Sequence, residues 1–196
     1  MQTDLSPRTG DALVVVDLQR DFLPGGALGV AQGSSVLPAI NDYLALFAAR
    51  RLPVIATRDW HPANHCSFVE QGGPWPPHCI AGSAGAAFAD GLRLPGDAVL
   101  VSKGATAGRD AYSGFAGTDL GDRLRQAHVK RLFIGGLATH YCVLQTVRDA
   151  LSLGFDVVLL RDAIAAVNNR PGDDERAMHE MGAAGATLAD RPLVFA

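Results

Sequence analysis

The sequence is poor in the features of secreted, membrane-bound or nucleic-acid-binding proteins. Its three cysteines are too few and too odd in number for a disulfide framework, which favours a reducing compartment. Basic runs are absent, and 17 Lys and Arg stand against 20 Asp and Glu, so nothing predicts nucleic acid as a partner. No apolar run approaches the ~18 residues of a membrane span, and residues 1–10 lack the apolar core of a signal peptide. We therefore expect a cytoplasmic protein that binds a small neutral or weakly charged molecule and not a membrane.

The chain also lacks any linker, internal repeat or shift in composition, so we predict one domain over residues 1–196. Apolar runs of strand length alternate with stretches of helical period, which is typical of an α/β protein with a parallel sheet. The predicted strands cover residues 12–17, 53–57, 98–103, 132–135, 156–161 and 186–188. The predicted helices cover residues 36–50, 119–128, 141–153 and 173–181.

One long segment, residues 58–96, has little periodicity and is rich in glycine, proline and alanine. Loops of this length are uncommon inside compact domains and are usually either functional or disordered. Because the segment contains several histidines and both tryptophans of the chain, we predict that it is functional.

A cysteine stands where a helix is predicted to begin. The apolar run from Leu132 passes through Gly135 and Gly136 and leads to Cys142. The positive end of a helix dipole stabilises a thiolate, and unpaired amides at the same turn can hold an oxyanion. Cys142 is therefore a candidate nucleophile, although a lone cysteine in an apolar context is often a small buried hydrophobic residue.

Polar side chains close two other predicted strands. Asp17 ends the first and Lys103 ends the third, and the carboxyl ends of parallel strands meet at one edge of the sheet. With Cys142 they would supply an acid/base group, a cation and a nucleophile. Taken singly, Asp17 is also explained as a cap or turn residue and Lys103 as a solvated lysine.

The long segment carries a second candidate site. Asp59 and His61 project to the same side of an extended stretch, and His78 follows later in the segment. Carboxylate and imidazole ligands suit zinc, iron(II) or manganese, so these three residues are candidate metal ligands. Alternatively, the histidines form hydrogen bonds within a polar loop. Cys79 is a further candidate thiolate ligand, but neighbouring residues of an extended segment face opposite ways, which favours a bystander role.

These motifs together resemble the nicotinamidase/pyrazinamidase branch of the isochorismatase-like cysteine hydrolases. They run through most of the chain in the order found in that family, and the set is specific although each motif alone is weak. The motifs are Asp17-Leu18-Gln19-Arg20-Asp21-Phe22 with Pro24-Gly25-Gly26-Ala27-Leu28, Thr57-Arg58-Asp59-Trp60-His61-Pro62, Trp75-Pro76-Pro77-His78-Cys79, Lys103-Gly104, Tyr112-Ser113-Gly114-Phe115, and Gly136-Leu137-Ala138-Thr139-His140-Tyr141-Cys142-Val143.

The resemblance implies a three-layer α/β/α domain around a six-stranded parallel sheet. It implies the following site residues: a catalytic triad of Asp17, Lys103 and Cys142; one divalent metal ion on Asp59, His61 and His78; an oxyanion hole from the amides of Ala138 and Cys142; and substrate contacts from Phe22, Trp75, Tyr112, Leu137 and Tyr141. A cis peptide bond between Leu137 and Ala138 is a further expectation.

The implied activity is hydrolysis of nicotinamide, and of pyrazinamide, to the acid and ammonia through a thioester. A metal-independent hydrolase of the same fold, acting on another small amide, a carbamoyl compound or a vinyl ether, is the nearest alternative. A binding module with an unused thiol is another, whereas a redox thiol protein is disfavoured because no Cys-x-x-Cys pair occurs. The resemblance leaves open a homo-oligomer, the identity of the metal and the choice among nicotinamide analogues.

Two positions of the implied site have no assigned role. His140 replaces the acidic residue that is usual in the family's Thr-Asp-Tyr-Cys pattern, and His65 lies where some members recruit an extra metal ligand.

Overall fold

A computed structural model describes residues 5–167 and 172–195. The other residues of the predicted domain, 1–196, lie outside the described part of the chain. Within it, six parallel strands form one sheet in the order β3-β2-β1-β4-β5-β6. The strands are β1 (Asp11–Val16), β2 (Val54–Asp59), β3 (Val99–Lys103), β4 (Arg131–Leu137), β5 (Asp156–Ala165) and β6 (Thr187–Ala189). All six predicted strands are confirmed. β5 runs four residues beyond its predicted end, because polar Arg161 and Asp162 interrupt the apolar run without ending the strand.

The helices are α1 (Leu37–Ala49), α2 (Leu120–Gln126), α3 (Leu144–Ser152), α4 (Asp173–Ala183) and α5 (Arg191–Val194). α1 buries a stripe that includes Ile40, Tyr43, Leu44 and Phe47, as its 3.6-residue period predicts. The four-residue α5 was not predicted, since one turn is too short to show a period.

The helices cover both faces of the sheet, which confirms the predicted three layers. Alternate residues of β1 enter separate cores: Leu13 and Val15 pack with α1, whereas Val14 packs with α2, α3 and α4. Every residue of β1 is buried, as expected for a central parallel strand covered on both sides.

The strand order places a cleft at the carboxyl ends of β1 and β4. The chain builds outward from β1 through β2 to β3 and then returns to place β4 on the other side of β1. Ligands of such sheets bind where the order reverses in this way. The strands lie close here, since a Cβ on Gly136 would stand 2.0 Å from the Val16 carbonyl oxygen. Asp17 and the segment leading to Cys142 therefore enter the same cleft.

The long segment after β2 is folded by short-range pairing. A 3-10 helix spans Val69–Gln71, and isolated bridges join His61 to Ile80 and Phe68 to Trp75. Such isolated bridges and short turns leave no periodic pattern in the sequence. In residues 5–167 and 172–195, no helix combines the length and apolar character needed to cross a membrane.

Candidate active site

The structure brings Asp17, Lys103 and Cys142 together in a nearly solvent-free cluster. The Lys103 Nζ atom lies 2.8 Å from Asp17 Oδ2 and 3.5 Å from Cys142 Sγ, and it donates to the Ala111 carbonyl at 3.1 Å. None of the three triad residues is more than 6% exposed. A thiol, a carboxyl group and an ammonium group therefore share one buried space, as the sequence predicts.

Each triad residue is held by the end of a different strand. Asp17 follows β1 in a left-handed conformation with φ of 47°, and its carboxylate accepts the Thr57 hydroxyl at 2.7 Å. Lys103 is the last residue of β3. Cys142 lies in a π-helical turn, Thr139–Val143, that precedes α3. Such turns occur frequently at functional sites, and the sequence had predicted an ordinary helix start here.

Burial controls the protonation states of the triad. It raises the pKa of the Cys142 thiol above its ordinary value, and the nearby Lys103 ammonium offsets only part of this. It also raises the pKa of Asp17, again against the opposing effect of Lys103. Burial lowers the pKa of Lys103, but the two carboxylates of Asp17 and Asp59 outweigh it and keep the ammonium charged. Burial therefore opposes the thiolate that the helix-dipole argument favours.

Asp59, His61 and His78 form a second cluster, in which one ligand atom from each lies within 4.8 Å of the others. The His61 Nδ1 atom lies 2.9 Å from the Gly104 carbonyl oxygen, and the His78 Nδ1 atom lies 2.8 Å from the Pro76 carbonyl oxygen. A carbonyl only accepts, so both Nδ1 atoms carry hydrogen, and Nε2 is the nitrogen of each ring that is left to bind a metal. Two imidazole nitrogens and a carboxylate, each histidine oriented by a carbonyl, fit a divalent metal ion such as zinc.

Asp59 connects this cluster to the triad. Its Oδ1 atom accepts from Lys103 Nζ at 2.5 Å, and its Oδ2 atom lies 3.6 Å from His61 Nε2. Burial alone would raise the pKa of Asp59, but Lys103 and His61 reverse the effect and hold it below its ordinary value. One ligand atom each from Asp17, Asp59 and Cys142 also lies within 4.8 Å of the other two. In this second group the Lys103 ammonium already contacts both carboxylates and provides the cation.

A cavity of about 320 Å³ opens above these two clusters. Its lining includes the predicted residues Phe22, Asp59, Trp75, His78, Tyr112, Ala138, Tyr141 and Cys142, and the unpredicted residues 27–30 and Val167. The cavity has the size of a small-molecule site and is mostly apolar, and Asp59, His78 and Cys142 lie in its lining. Ala27 and Leu28 belong to a quoted motif but were given no role, and Gly29, Val30 and Val167 carried no signal in the sequence.

Aromatic side chains form a connected wall of the cavity. The Trp75 indole N–H donates to the Tyr112 hydroxyl oxygen at 2.9 Å. The Tyr141 ring lies edge-on to Trp75 at 5.5 Å and stacks near Tyr112 at 6.0 Å, both between ring centroids. This wall can hold a flat aromatic ring.

Leu137 differs from its prediction as a substrate contact. Its side chain is fully buried in the core on the α1 side of the sheet and is not part of the cavity lining. Alternation along β4 places Leu137 on the same face as Phe133, away from the cleft. The peptide bond between Leu137 and Ala138 is cis, as the resemblance implied.

The two histidines without an assigned role differ in their surroundings. His65 is fully buried and stacks on His61 with centroids 4.1 Å apart, but both its nitrogens are engaged, Nδ1 with Ser67 Oγ and Nε2 with the Arg109 carbonyl. It therefore offers no free lone pair to a metal in this arrangement. Both ring nitrogens of His140 are buried without a hydrogen-bond partner among the described residues.

Comparisons with known proteins identify the family of this chain. A family model described as the isochorismatase domain matches residues 11–192. The chain is 41% identical to a nicotinamidase of Escherichia coli strain K12, over 90% of this chain and 93% of that protein. It is 49% identical to a pyrazinamidase of Pyrococcus horikoshii solved with zinc, with a TM-score of 0.89 and coverage of 93% and 99%. PnC1 from L. infantum, solved in complex with nicotinate, is 38% identical to this chain with a TM-score of 0.87, and 96% of each chain is covered. The chain belongs to the isochorismatase family of hydrolases.

Proposed function

We propose that this protein hydrolyses nicotinamide to nicotinate and ammonia, and accepts pyrazinamide, through a thioester on Cys142. The observation that carries the proposal is the contact of Asp59 with both clusters, which joins a cysteine triad to a three-ligand metal site beneath one cavity. The names of the relatives, nicotinamidase and pyrazinamidase, support the same substrate class.

The cavity fits the flat ring of the proposed substrate. Phe22, Trp75, Tyr112 and Tyr141 surround the space with aromatic surface, and Cys142 lies in the same lining. A divalent ion held by Asp59, His61 and His78 would supply a Lewis acid able to attract the pyridine nitrogen. Binding at these two places would fix the carboxamide beside the sulfur, which removes much of the entropic barrier to attack.

The first half-reaction transfers the acyl group to sulfur. Asp17 accepts the Cys142 proton as the sulfur bonds to the carboxamide carbon, and the carbonyl oxygen becomes an oxyanion. We assign the amides of Ala138 and Cys142 to this oxyanion, since both residues line the cavity. Asp17 then gives the proton to the nitrogen, the C–N bond breaks and ammonia leaves a nicotinoyl thioester.

The second half-reaction returns the enzyme to its resting state. Asp17 removes a proton from water, whose oxygen attacks the thioester carbon, and the C–S bond breaks as Asp17 returns the proton to sulfur. Lys103 stays charged throughout, and it stabilises the Asp17 carboxylate and the transient charge on sulfur. The raised pKa of Asp17 suits a group that both accepts and donates a proton.

We also propose a cytoplasmic location and a small-molecule partner in place of nucleic acid or membrane. The three cysteines are free in the structure, with Cys79 and Cys142 buried, which suits a reducing compartment.

Ammonia release from nicotinamide by purified protein tests the proposal, with the metal content measured in the same sample. We expect turnover that depends on nicotinamide, a metal stoichiometry near one, and no turnover by a folded Cys142→Ala variant. A metal-loaded protein that releases ammonia from a carbamoyl compound but not from nicotinamide would contradict the assigned substrate.

A further inference from the structure

Two side chains of the first motif, Gln19 and Asp21, have no part in the proposed reaction. Gln19 is fully buried and Asp21 is half-buried. They lie in the segment that follows Asp17, next to the loop that carries the metal-ligand cluster. Buried polar groups are costly unless they are hydrogen-bonded, so their partners show what each one stabilises.

Gln19 holds the backbone of Asp59 from both sides. Its Oε1 atom accepts from the Asp59 N–H at 2.8 Å, and its Nε2 atom donates to the Asp59 carbonyl at 2.8 Å. The second Nε2 hydrogen is donated to the Ala86 carbonyl at 2.9 Å. Both hydrogens of the Gln19 amide are thus donated, and two of its three hydrogen bonds fix the backbone of Asp59, whose carboxylate connects the metal cluster to Lys103.

Asp21 holds the other two candidate ligands through Cys79. Its Oδ2 atom accepts from the Cys79 N–H at 2.7 Å, which fixes the residue that follows His78. The Cys79 carbonyl in turn accepts from the His61 N–H at 3.0 Å. Cys79 has a left-handed φ of 46°, a conformation that non-glycine residues adopt only with support from their surroundings.

The fit around Asp21 leaves no room for adjustment. The Asp21 N–H donates to the Gly85 carbonyl at 3.0 Å, and a Cβ added to Gly85 would stand 2.1 Å from the Asp21 carboxylate. The same carboxylate lies 3.4 Å from the Ala27 amide, in the stretch that lines the cavity. The Asp21 carboxylate is thereby held between its own loop and two stretches of the long segment.

We infer that Gln19 and Asp21 are positioning residues for the metal site, Gln19 for Asp59 and Asp21 for His61 and His78. The inference rests on the proposed function, because it assigns these residues to the metal cluster of that site. Neither side chain touches a ligand atom, so they act by holding the backbones that carry the ligands. Groups that orient metal ligands typically contribute about 10- to 100-fold to metal affinity.

Cobalt(II) titration of the metal-free protein tests this inference, with visible absorption reporting both affinity and coordination geometry. We expect Gln19→Met and Asp21→Ala to weaken cobalt binding by about 10- to 100-fold and to change the absorption bands. Asp21→Asn keeps an oxygen for the Cys79 amide and retains the affinity of the unsubstituted protein. Arg20→Ala is the matched control, because the exposed Arg20 side chain pairs with Asp90 at the surface. It leaves the affinity unchanged.

Thermal unfolding of the metal-free variants separates positioning from general stability. If Gln19→Met and Asp21→Ala lower the melting temperature but bind cobalt as the unsubstituted protein does, the inference is wrong and the proposed function stands. If the unsubstituted protein binds no cobalt, both this inference and the proposed metal-dependent function are wrong. If Gln19→Met does not fold, Gln19→Glu tests the role of Gln19 instead. This variant keeps the shape of the side chain but removes the two N–H donors that bond to the Asp59 and Ala86 carbonyls. Equal cobalt affinity in that variant would also overturn the inference.

Discussion

Lys103 provides the most informative single substitution, because its ammonium is the one cation in contact with Asp17 and Asp59 in the described part of the chain. Lys103→Met preserves length and removes the charge. It leaves two carboxylates, each at most 5% exposed, without their cation. Breaking a buried ion pair by removing one partner typically costs about 3–5 kcal/mol. We expect a loss of that size in the free energy of unfolding at neutral pH.

The loss should depend on pH with a definite sign. Lys103 holds the pKa of Asp59 in the folded protein below its value in the unfolded chain. The resulting stabilisation is fully present at pH values above the unfolded pKa, and it is lost as the pH falls through the folded pKa. Without Lys103, burial raises the folded pKa of Asp59 and raises that of Asp17 still further, so the variant is relatively more stable in acid. The difference between the two proteins should therefore shrink as the pH is lowered from 7 toward about 4.

Urea unfolding of the metal-free proteins at both pH values measures this difference. Lys130→Met is the control, because Lys130 is the other lysine of the chain and is exposed. We expect the control to change stability by no more than about 0.5 kcal/mol. The reasoning is refuted if Lys103→Met costs no more than the control, or if its cost is the same at both pH values.

Three further predictions follow from the same structure. Removal of the metal with a chelator should raise the KM for nicotinamide or abolish binding, and full activity of metal-free protein would contradict the substrate-orienting role. Tyr43→Phe should cost about 1 kcal/mol near neutral pH, because Tyr43 donates to Asp162 at 2.8 Å. Burial and Asp162 raise the pKa of Tyr43, so above pH 10.0 the native protein keeps a proton that the unfolded chain loses. The gap in unfolding free energy between the two proteins should then narrow by up to about 1.4 kcal/mol per pH unit; a constant gap would exclude this account. Finally, Cys79 should resist alkylation at neutral pH while the partly exposed Cys66 reacts, because burial raises the pKa of the Cys79 thiol. Peptide mapping of the labelled Cys142→Ala variant distinguishes the two cysteines.

The fold and most of the site could be predicted because their signals are local. The six strands are short apolar runs, and the residues that close them reach the same edge in any parallel sheet. Asp17 and Lys103 were therefore identifiable from their positions alone. The metal cluster was identifiable because Asp59 and His61 are two residues apart in an extended segment and His78 follows later in the same segment.

The remaining features depend on contacts that no local pattern encodes. The side-chain direction of Leu137 is set by the pleat of β4 relative to the cleft, and the π-helical turn before α3 looks like a helix start in the sequence. The raised pKa of the Cys142 thiol results first from burial, which the neighbouring Lys103 ammonium offsets only in part. Gln19 and Asp21 appear in the sequence as polar residues of a motif, and only their partners in the fold suggest a role.

The covalent intermediate tests the central claim most directly. Protein mixed with nicotinamide is quenched in acid during turnover, and its intact mass is measured before peptide mapping. We predict a nicotinoyl thioester on Cys142, which disappears as substrate is exhausted and is absent from Cys142→Ala. Ammonia release that continues in Cys142→Ala, with no acyl adduct on the unsubstituted protein, would contradict the account.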